Sequence, residues 1–306
     1  MKAVRIHRFG GPDEVVVEDV PLPSPGKGEV LVRVVAAGVA PWDALIREGE
    51  SKVSPQPPLT LGSDLSGVVE AVGAEVVEFS VGDEVYGVTN PQFCGAHAEY
   101  AVAQAGMLAP KPRSLNFLEA ASAPVIAVTA WQMLFEYANV KPGETVLILG
   151  AAGNVGAYAV QMAINAGVNV LAVARAHDEQ LLRNLGVQTV IDSGASGFEK
   201  ALPQVDAILD MVGGNTLQQS IGALKAGGKL VSVVSAEPLP QKPELKPIFF
   251  YAEATSSRLQ NLTALFEAGS ISARVGSVLP LADARTAHRM LAGEPHEPGK
   301  IVLQVT

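Results

Sequence analysis

The chain has 306 residues, 48% of them hydrophobic and 17% charged, with a formal net charge of −9 and a single cysteine, Cys94. That length is enough for two domains with substantial cores, and the negative charge with dispersed Lys and Arg argues against a nucleic-acid surface. No apolar run approaches the roughly 20 residues that span a bilayer. The opening MKAVRIHRFGG lacks a signal peptide's apolar core, and one cysteine excludes an intrachain disulfide, so the expected compartment is a reducing cytoplasm.

The first third alternates with a period near two and is punctuated by Gly and Pro. MKAVRIHRF, EVLVRVVAAGV, GSDLSGVVEAVG, VGDEVYGVT and GAHAEYAVA read as strands of an antiparallel barrel or sandwich. GMLAPKPRSLNFLEAASAP then changes character, which places a domain boundary near residue 113. Beyond it, short apolar runs alternate with helical patterns. ETVLILG, NVLAVAR, TVID, DAILDMV and KLVSVVS are expected strands; GAYAVQMAINAG, HDEQLLRNLG and TLQQSIGALKAGG are expected helices. This rhythm predicts an α/β domain over 114–254, a parallel sheet covered by helices on both faces, with IFFYAEA as its last strand. The helix SRLQNLTALFEAG follows, and the tail 255–306, ending in GKIVLQV, is expected to return to the first domain.

VLILGAAGNVG carries Gly150, Gly153 and Gly156 between a strand and a helix. Such a turn aims backbone N–H groups and a helix N-terminus at a pyrophosphate, and the last glycine permits close helix–strand packing. The spacing is G-x-x-G-x-x-G, so the βαβ context carries the reading more than the glycines alone. An acid about 20 residues on would bond the ribose of NAD; here the strand runs out at Arg175, whose planar donor fork suits the 2′-phosphate of NADP(H).

The chain resembles the medium-chain dehydrogenase/reductases, specifically the zinc-free quinone oxidoreductase branch that includes zeta-crystallin. The likeness is carried by MKAVRIHRFGGPDEV, GEVLVRVVAAGVAPWDALIREG, LGSDLSGVVEAVG, VGDEVYGV, AHAEYAV, PVIAVTAWQML, VLILGAAGNVG and GKIVLQV, in order along the whole length. The resemblance implies a GroES-like β-barrel catalytic domain (1–113) interrupted by a Rossmann domain (114–254), an α/β fold with a doubly wound parallel sheet. It implies cofactor contacts at Gly153, Asn154, Val155 and Gly156, and Thr129 near the nicotinamide. Arg175 and His177 would surround the 2′-phosphate, Ser193 would lie near the adenine, and Gly213, Val234 and Ser235 would border the nicotinamide ribose. Asn154 replaces a glycine common in this loop, and Asn tolerates positive φ. The zinc-dependent relatives carry a Cys near the segment Gly38-Val39-Ala40 and a His-Glu pair where Ser63-Asp64 stand. With one cysteine and five histidines at no ligand-like spacing, the usual tetrahedral zinc site cannot be assembled. The Asn and Tyr found in zinc-free members at the positions of Ala40 and Leu45 are also absent.

Without zinc to ionise an alcohol, the easier chemistry is hydride delivery from NADPH to an electron-poor acceptor, a quinone or an α,β-unsaturated carbonyl. Its lining is expected from the first domain facing the carboxyl edge of the sheet: Trp42, Asp43, Asp64, Tyr86, Asn90, Phe93 and Phe250. Tyr86 and Asn90 are the donors expected to hold the carbonyl oxygen. Each has a structural alternative: barrel core for Trp42, a helix cap for Asp43, a strand position for Tyr86. A non-catalytic NADPH-binding structural or RNA-associated protein and an enoyl-thioester reductase stand as alternatives. A homodimer joined through the apolar edge of IFFYAEA is expected, with a small-molecule substrate and no membrane or nucleic-acid partner.

Overall fold

The computed structural model of the protein describes residues 1–237, 239, 242 and 245–306. In chain order the first elements are β1 (Lys2–Ile6), β2 (Val16–Asp19), β3 (Glu29–Val39), α1 (Pro41–Glu48), β4 (Leu59–Thr60), β5 (Asp64–Val72), β6 (Glu84–Val88), β7 (Tyr100–Gln104), β8 (Leu108–Pro110) and α2 (Phe117–Ser122). There follow α3 (Pro124–Trp131), β9 (Thr145–Leu149), α4 (Asn154–Asn165), β10 (Asn169–Ala174), α5 (Glu179–Asn184), β11 (Thr189–Asp192), β12 (Val205–Asp210) and α6 (Gly214–Ser220). The chain ends with β13 (Leu224–Ser232), β14 (Ile248–Phe249), α7 (Ser256–Glu267), β15 (Val275–Pro280), α8 (Ala284–Leu291) and β16 (Lys300–Gln304). Among the described residues no helix is long and apolar enough to cross a membrane.

The chain divides into two compact units, Met1–Val125 with Glu253–Thr306, and Ile126–Ala252. The first unit thus runs past residue 113. The reason is local: Ser66 Oγ donates to the carbonyl of Phe117 at 2.6 Å, and the Val125 N–H donates to Asp64 Oδ1 at 3.1 Å, tying α2 and its exit to β5.

The first unit is built on a seven-stranded sheet in the order β15-β16-β3-β5-β6-β8, with β7 also paired to β3, and a three-stranded sheet β2-β1-β4. Register shifts between Leu31 and Val32 and between Val34 and Ala36 interrupt the β3–β5 ladder; such irregularities bend a strand and raise its twist, which lets the sheet curl. Val30, Val32 and Val34 point alternately into a core with Leu65, Val69, Val85 and Leu108. The closing strand β16 lies antiparallel on β3, with Ile301 opposite Val39 and Val302 opposite Gly38.

The second unit is a six-stranded parallel sheet in the order β11-β10-β9-β12-β13-β14. Its central strand TVLIL is buried over Val146–Leu149, as a sheet covered on both faces requires. Two expected elements change. Of TLQQSIGALKAGG only the first part is helical; Leu224–Gly228 opens β13, because the Gly227–Gly228 pair stops a helix and Gly227 takes φ +76°, a conformation closed to most residues. IFFYAEA pairs only at Ile248–Phe249, after which Tyr251 stands 65% exposed.

Candidate functional site

In the second unit the site begins where β9 runs out. Gly150 takes φ +79°, and the Gly153 N–H returns to the Gly150 carbonyl at 3.0 Å, closing a tight turn. Gly153 is the N-cap of α4 with no side-chain cap, and the Ala157 N–H bonds the Gly153 carbonyl at 2.9 Å. The amides of Asn154, Val155 and Gly156 precede that first helical bond, so they have no intrahelical acceptor and face outward from the positive end of the helix dipole. A Cβ on Gly156 would lie 2.2 Å from the Gly150 carbonyl oxygen and 2.8 Å from Ala151 Cα, so only glycine lets helix and turn approach this closely. Asn154 needs no positive φ: it is the first residue of α4, and the positive-φ requirement falls on Gly150.

Apart from Thr129, the other cofactor candidates lie at the carboxyl ends of the neighbouring strands. Arg175 follows β10 and is exposed, as is His177, whose Nε2 lies 3.6 Å from Asp178 Oδ2. Ser193 follows β11 and donates its N–H to the Ala174 carbonyl at 2.8 Å, which fixes it beside the end of β10. Thr129 is buried in α3. Gly213 takes φ +69°, and a Cβ there would meet Val234 Cγ1 at 2.8 Å. The loops after β12 and β13 are joined by two residues that the sequence reading passed over. Buried Asp210 accepts the Val212 and Gly213 amides at 3.0 and 2.7 Å and the Ser232 hydroxyl at 2.8 Å. Ser232 Oγ in turn accepts the amides of Val234 and Ser235 at 3.1 and 3.3 Å. The available signal was an acid closing an otherwise apolar strand, DAILD, just before Gly213-Gly214.

The first unit gathers part of the expected substrate wall. Trp42 Nε1 donates to Ser63 Oγ at 3.0 Å, and the ammonium of Lys300 lies 4.2 Å from the centroid of the Trp42 ring. The same ammonium donates to Asp64 Oδ2 at 2.8 Å, with both side chains essentially inaccessible to water. Burial pushes the Asp64 carboxyl up against the opposing pull of Lys300. Asp43 is buried in α1 and reaches back to the Ala40 N–H at 2.8 Å, so it serves as the third residue of the helix closing on its cap rather than as the cap itself. Burial raises its carboxyl to about 7, and its Oδ1 has no hydrogen-bond partner. Behind α1, His97 Nε2 faces the Gly38 carbonyl at 3.0 Å, and Arg47 Nη1 donates to His288 Nδ1 at 2.9 Å. Burial holds His97 down at about 4 and His288 well below its ordinary value, so both are neutral near pH 7.

Asn90 and Phe93 share one turn beside Ser63, since the Thr89 N–H donates to the Ser63 carbonyl at 3.1 Å. Asn90 Nδ2 donates to the Cys94 carbonyl at 2.8 Å and Oδ1 accepts the Gln92 amide at 3.0 Å. One amide hydrogen of Asn90 remains beyond that bond. Tyr86 is a correction. Its side chain is fully buried, its hydroxyl donates to the Leu259 carbonyl at 2.7 Å and meets Thr263 Oγ1 at 3.0 Å, and burial raises its phenol well above the ordinary range. Its single hydrogen fastens β6 to α7 and is not available to a substrate oxygen. Phe250 is a second correction: it is buried in the other unit and stacks on Tyr137 at 4.3 Å, which makes it core. Among the described residues no three His, Cys, Asp or Glu side chains converge to hold a metal ion.

Residues 26–113 match the family model described as an alcohol dehydrogenase GroES-like domain, and residues 185–303 the one described as a zinc-binding dehydrogenase. The chain is 33% identical to a quinone oxidoreductase of Sus scrofa over 99% of its own length and 97% of that protein. It is 30% identical to a chloroplastic NADPH-dependent alkenal/one oxidoreductase of Arabidopsis thaliana, covering 99% of the chain and 79% of that protein. The solved structure of the quinone oxidoreductase from Coxiella burnetii superposes with a TM-score of 0.91 at 32% identity, covering 100% of this chain and 99% of that one. With the GroES-like match, the parallel nucleotide-binding sheet and this full-length likeness together, the chain belongs to the quinone oxidoreductase branch of the medium-chain dehydrogenase/reductase superfamily.

Proposed function

We propose that the protein is an NADPH-dependent reductase of quinones or of the C=C bond of conjugated carbonyls, working without zinc. The observation that carries this reading is the uncapped glycine turn, with its amide-lined helix start, followed at the end of β10 by Arg175 instead of an acid. The amides of Asn154, Val155 and Gly156 would bind the pyrophosphate, and Arg175 with His177 the 2′-phosphate. Gly213, Val234 and Ser235 would border the nicotinamide ribose, Thr129 the nicotinamide and Ser193 the adenine. When bound, the reduced nicotinamide supplies a hydride equivalent.

The protein's own work is then to bind, orient and exclude water. Trp42 and Phe93, half-buried against the first unit's core, would offer their remaining apolar surface to a planar acceptor, and the second amide hydrogen of Asn90 would meet the oxygen that becomes an enolate or hydroquinone anion. The zinc-dependent members carry a Cys near the segment Gly38-Val39-Ala40 and a His-Glu pair where Ser63-Asp64 stand, and this chain has neither thiolate nor imidazole there. Asp43 and Asp64 belong to the buried support of this wall rather than to its surface. The names of the relatives point to the same two acceptor classes. Through the edge strand β14 the chain would pair with a second copy, giving a homodimer in the reducing cytoplasm.

The test is isotopic. NADPH carrying deuterium at the transferred position is incubated with an α,β-unsaturated ketone, and the product is read by mass spectrometry and NMR. A saturated ketone with deuterium on the β-carbon and a solvent proton on the α-carbon is expected. Deuterium at the carbonyl carbon, giving an allylic alcohol, would overturn the reading.

A further inference from the structure

We infer that Lys300 is a positioning residue for the substrate wall, which it holds by fastening α1 to the start of β5. The kinetic part of this inference rests on the reductase reading above; the structural part does not. Lys300 is 1% exposed, and a desolvated ammonium is costly unless its partners are well placed. Two partners are in place. Asp64 Oδ2 accepts at 2.8 Å, and the Trp42 ring lies under the charge at 4.2 Å. Trp42 is therefore gripped twice, on its face by the cation and at its edge by Ser63 Oγ. Asp64 is gripped twice as well, by Lys300 at one oxygen and by the Val125 amide at the other.

The backbone makes room for this arrangement. Gly38 pairs with Val302 on the neighbouring strand, and a Cβ at Gly38 would lie 2.8 Å from Lys300 Cε and 3.0 Å from Asp64 Cβ. The glycine thus leaves room for the lysine stem to cross β3, and also for the Ala121 carbonyl, which a Cβ there would meet at 2.7 Å. Lys300 sits 236 residues from Asp64 in sequence, so a residue on the closing strand determines where the first helix presents its indole.

The experiment uses the full chain in a Trp131→Phe background, which leaves Trp42 as the one tryptophan. The test variant is Lys300→Met combined with Asp64→Asn, which removes both charges so that neither is left buried alone. Acrylamide quenching of Trp42 is expected to rise at least about twofold. The KM for 1,4-naphthoquinone is expected to rise about tenfold with kcat changed less than about threefold, while the Kd for NADPH stays within about twofold. Quenching at the parental value, or raised quenching with a parental KM, would overturn the positioning role. If the parent reduces no acceptor at all, the reductase reading fails and quenching alone still decides whether Lys300 holds Trp42. Should the double variant not fold, Lys300→Arg decides: its wider head must displace the indole and move both readouts the same way, and parental values in both would overturn the role.

Discussion

The two units hold their candidate site residues by opposite physical means. In the Ile126–Ala252 unit the residues are set by backbone: glycines at Gly150, Gly153 and Gly156, a helix start without a side-chain cap, and two loops pinned by Asp210 and Ser232. In the first unit they are set by buried ionisable side chains: Lys300 with Asp64, Asp43 at the start of α1, and the neutral pair His97 and His288. Backbone amides keep their hydrogens at any ordinary pH, whereas carboxyl and imidazole groups titrate. The difference teaches that the candidate residues of the Ile126–Ala252 unit should be insensitive to pH and intolerant of added atoms. Those of the first unit should respond to protons, and they are sterically tight as well where Gly38 passes Lys300.

The largest expected effect follows from the buried histidines. His97 is neutral in the folded state down to about pH 4, whereas the unfolded chain takes up that proton near pH 6.5. The stability it contributes is thus present above 6.5 and is lost as pH falls toward 4. Against a His97→Gln variant, the parent should lose about 1.4 kcal/mol more per pH unit across that window, or about 3 kcal/mol in all. Asp43 has the opposite sign, its carboxyl being raised to about 7, so its contribution is lost as pH rises from about 4 through 7; it is common to both proteins and cancels in the difference. Urea midpoints across the range measure it, and parallel curves would contradict it.

In the backbone-built half, Gly156→Ala should weaken NADPH by at least about 100-fold, equivalent to about 2.7 kcal/mol, because the added Cβ would sit 2.2 Å from the Gly150 oxygen. Calorimetric titration reads this directly. Arg175→Ala should act more mildly. If the guanidinium meets the 2′-phosphate, an NADPH-over-NADH preference of at least about tenfold, or roughly 1.4 kcal/mol, should largely disappear. The smallest effect is expected from Tyr86→Phe, which should cost about 1 kcal/mol of stability through the lost bond to the Leu259 carbonyl. Turnover per folded molecule should be unchanged. A large drop in kcat with unaltered stability would return Tyr86 to the reaction.

The sequence spoke most clearly where function and fold share a local pattern. VLILGAAGNVG announced strand, turn and helix because the glycines, the apolar run and the helical period lie within a few residues of each other. The first-unit wall carried no such signal. Lys300 and Asp64 meet only because β16 returns to β3, and neither GKIVLQV nor GSDLSG shows the pairing alone. Tyr86 misled for a related reason: an alternating strand tells which face a residue points to, but not that α7 waits there with a carbonyl to take its hydrogen. LKAGG was read as the end of a helix because Leu224, Lys225 and Ala226 favour one; Gly227 and Gly228 stop it, and Leu224 pairs with Val205 of β12 instead.

The most direct test of the division between a nucleotide cradle and a metal-independent wall is NADPH oxidation by purified protein dialysed against a chelator, with zinc counted by elemental analysis. Turnover of 1,4-naphthoquinone or an enone at the undialysed rate, with well under one zinc per chain, is the expected result. Activity that vanishes on dialysis and returns with one zinc per chain would contradict it.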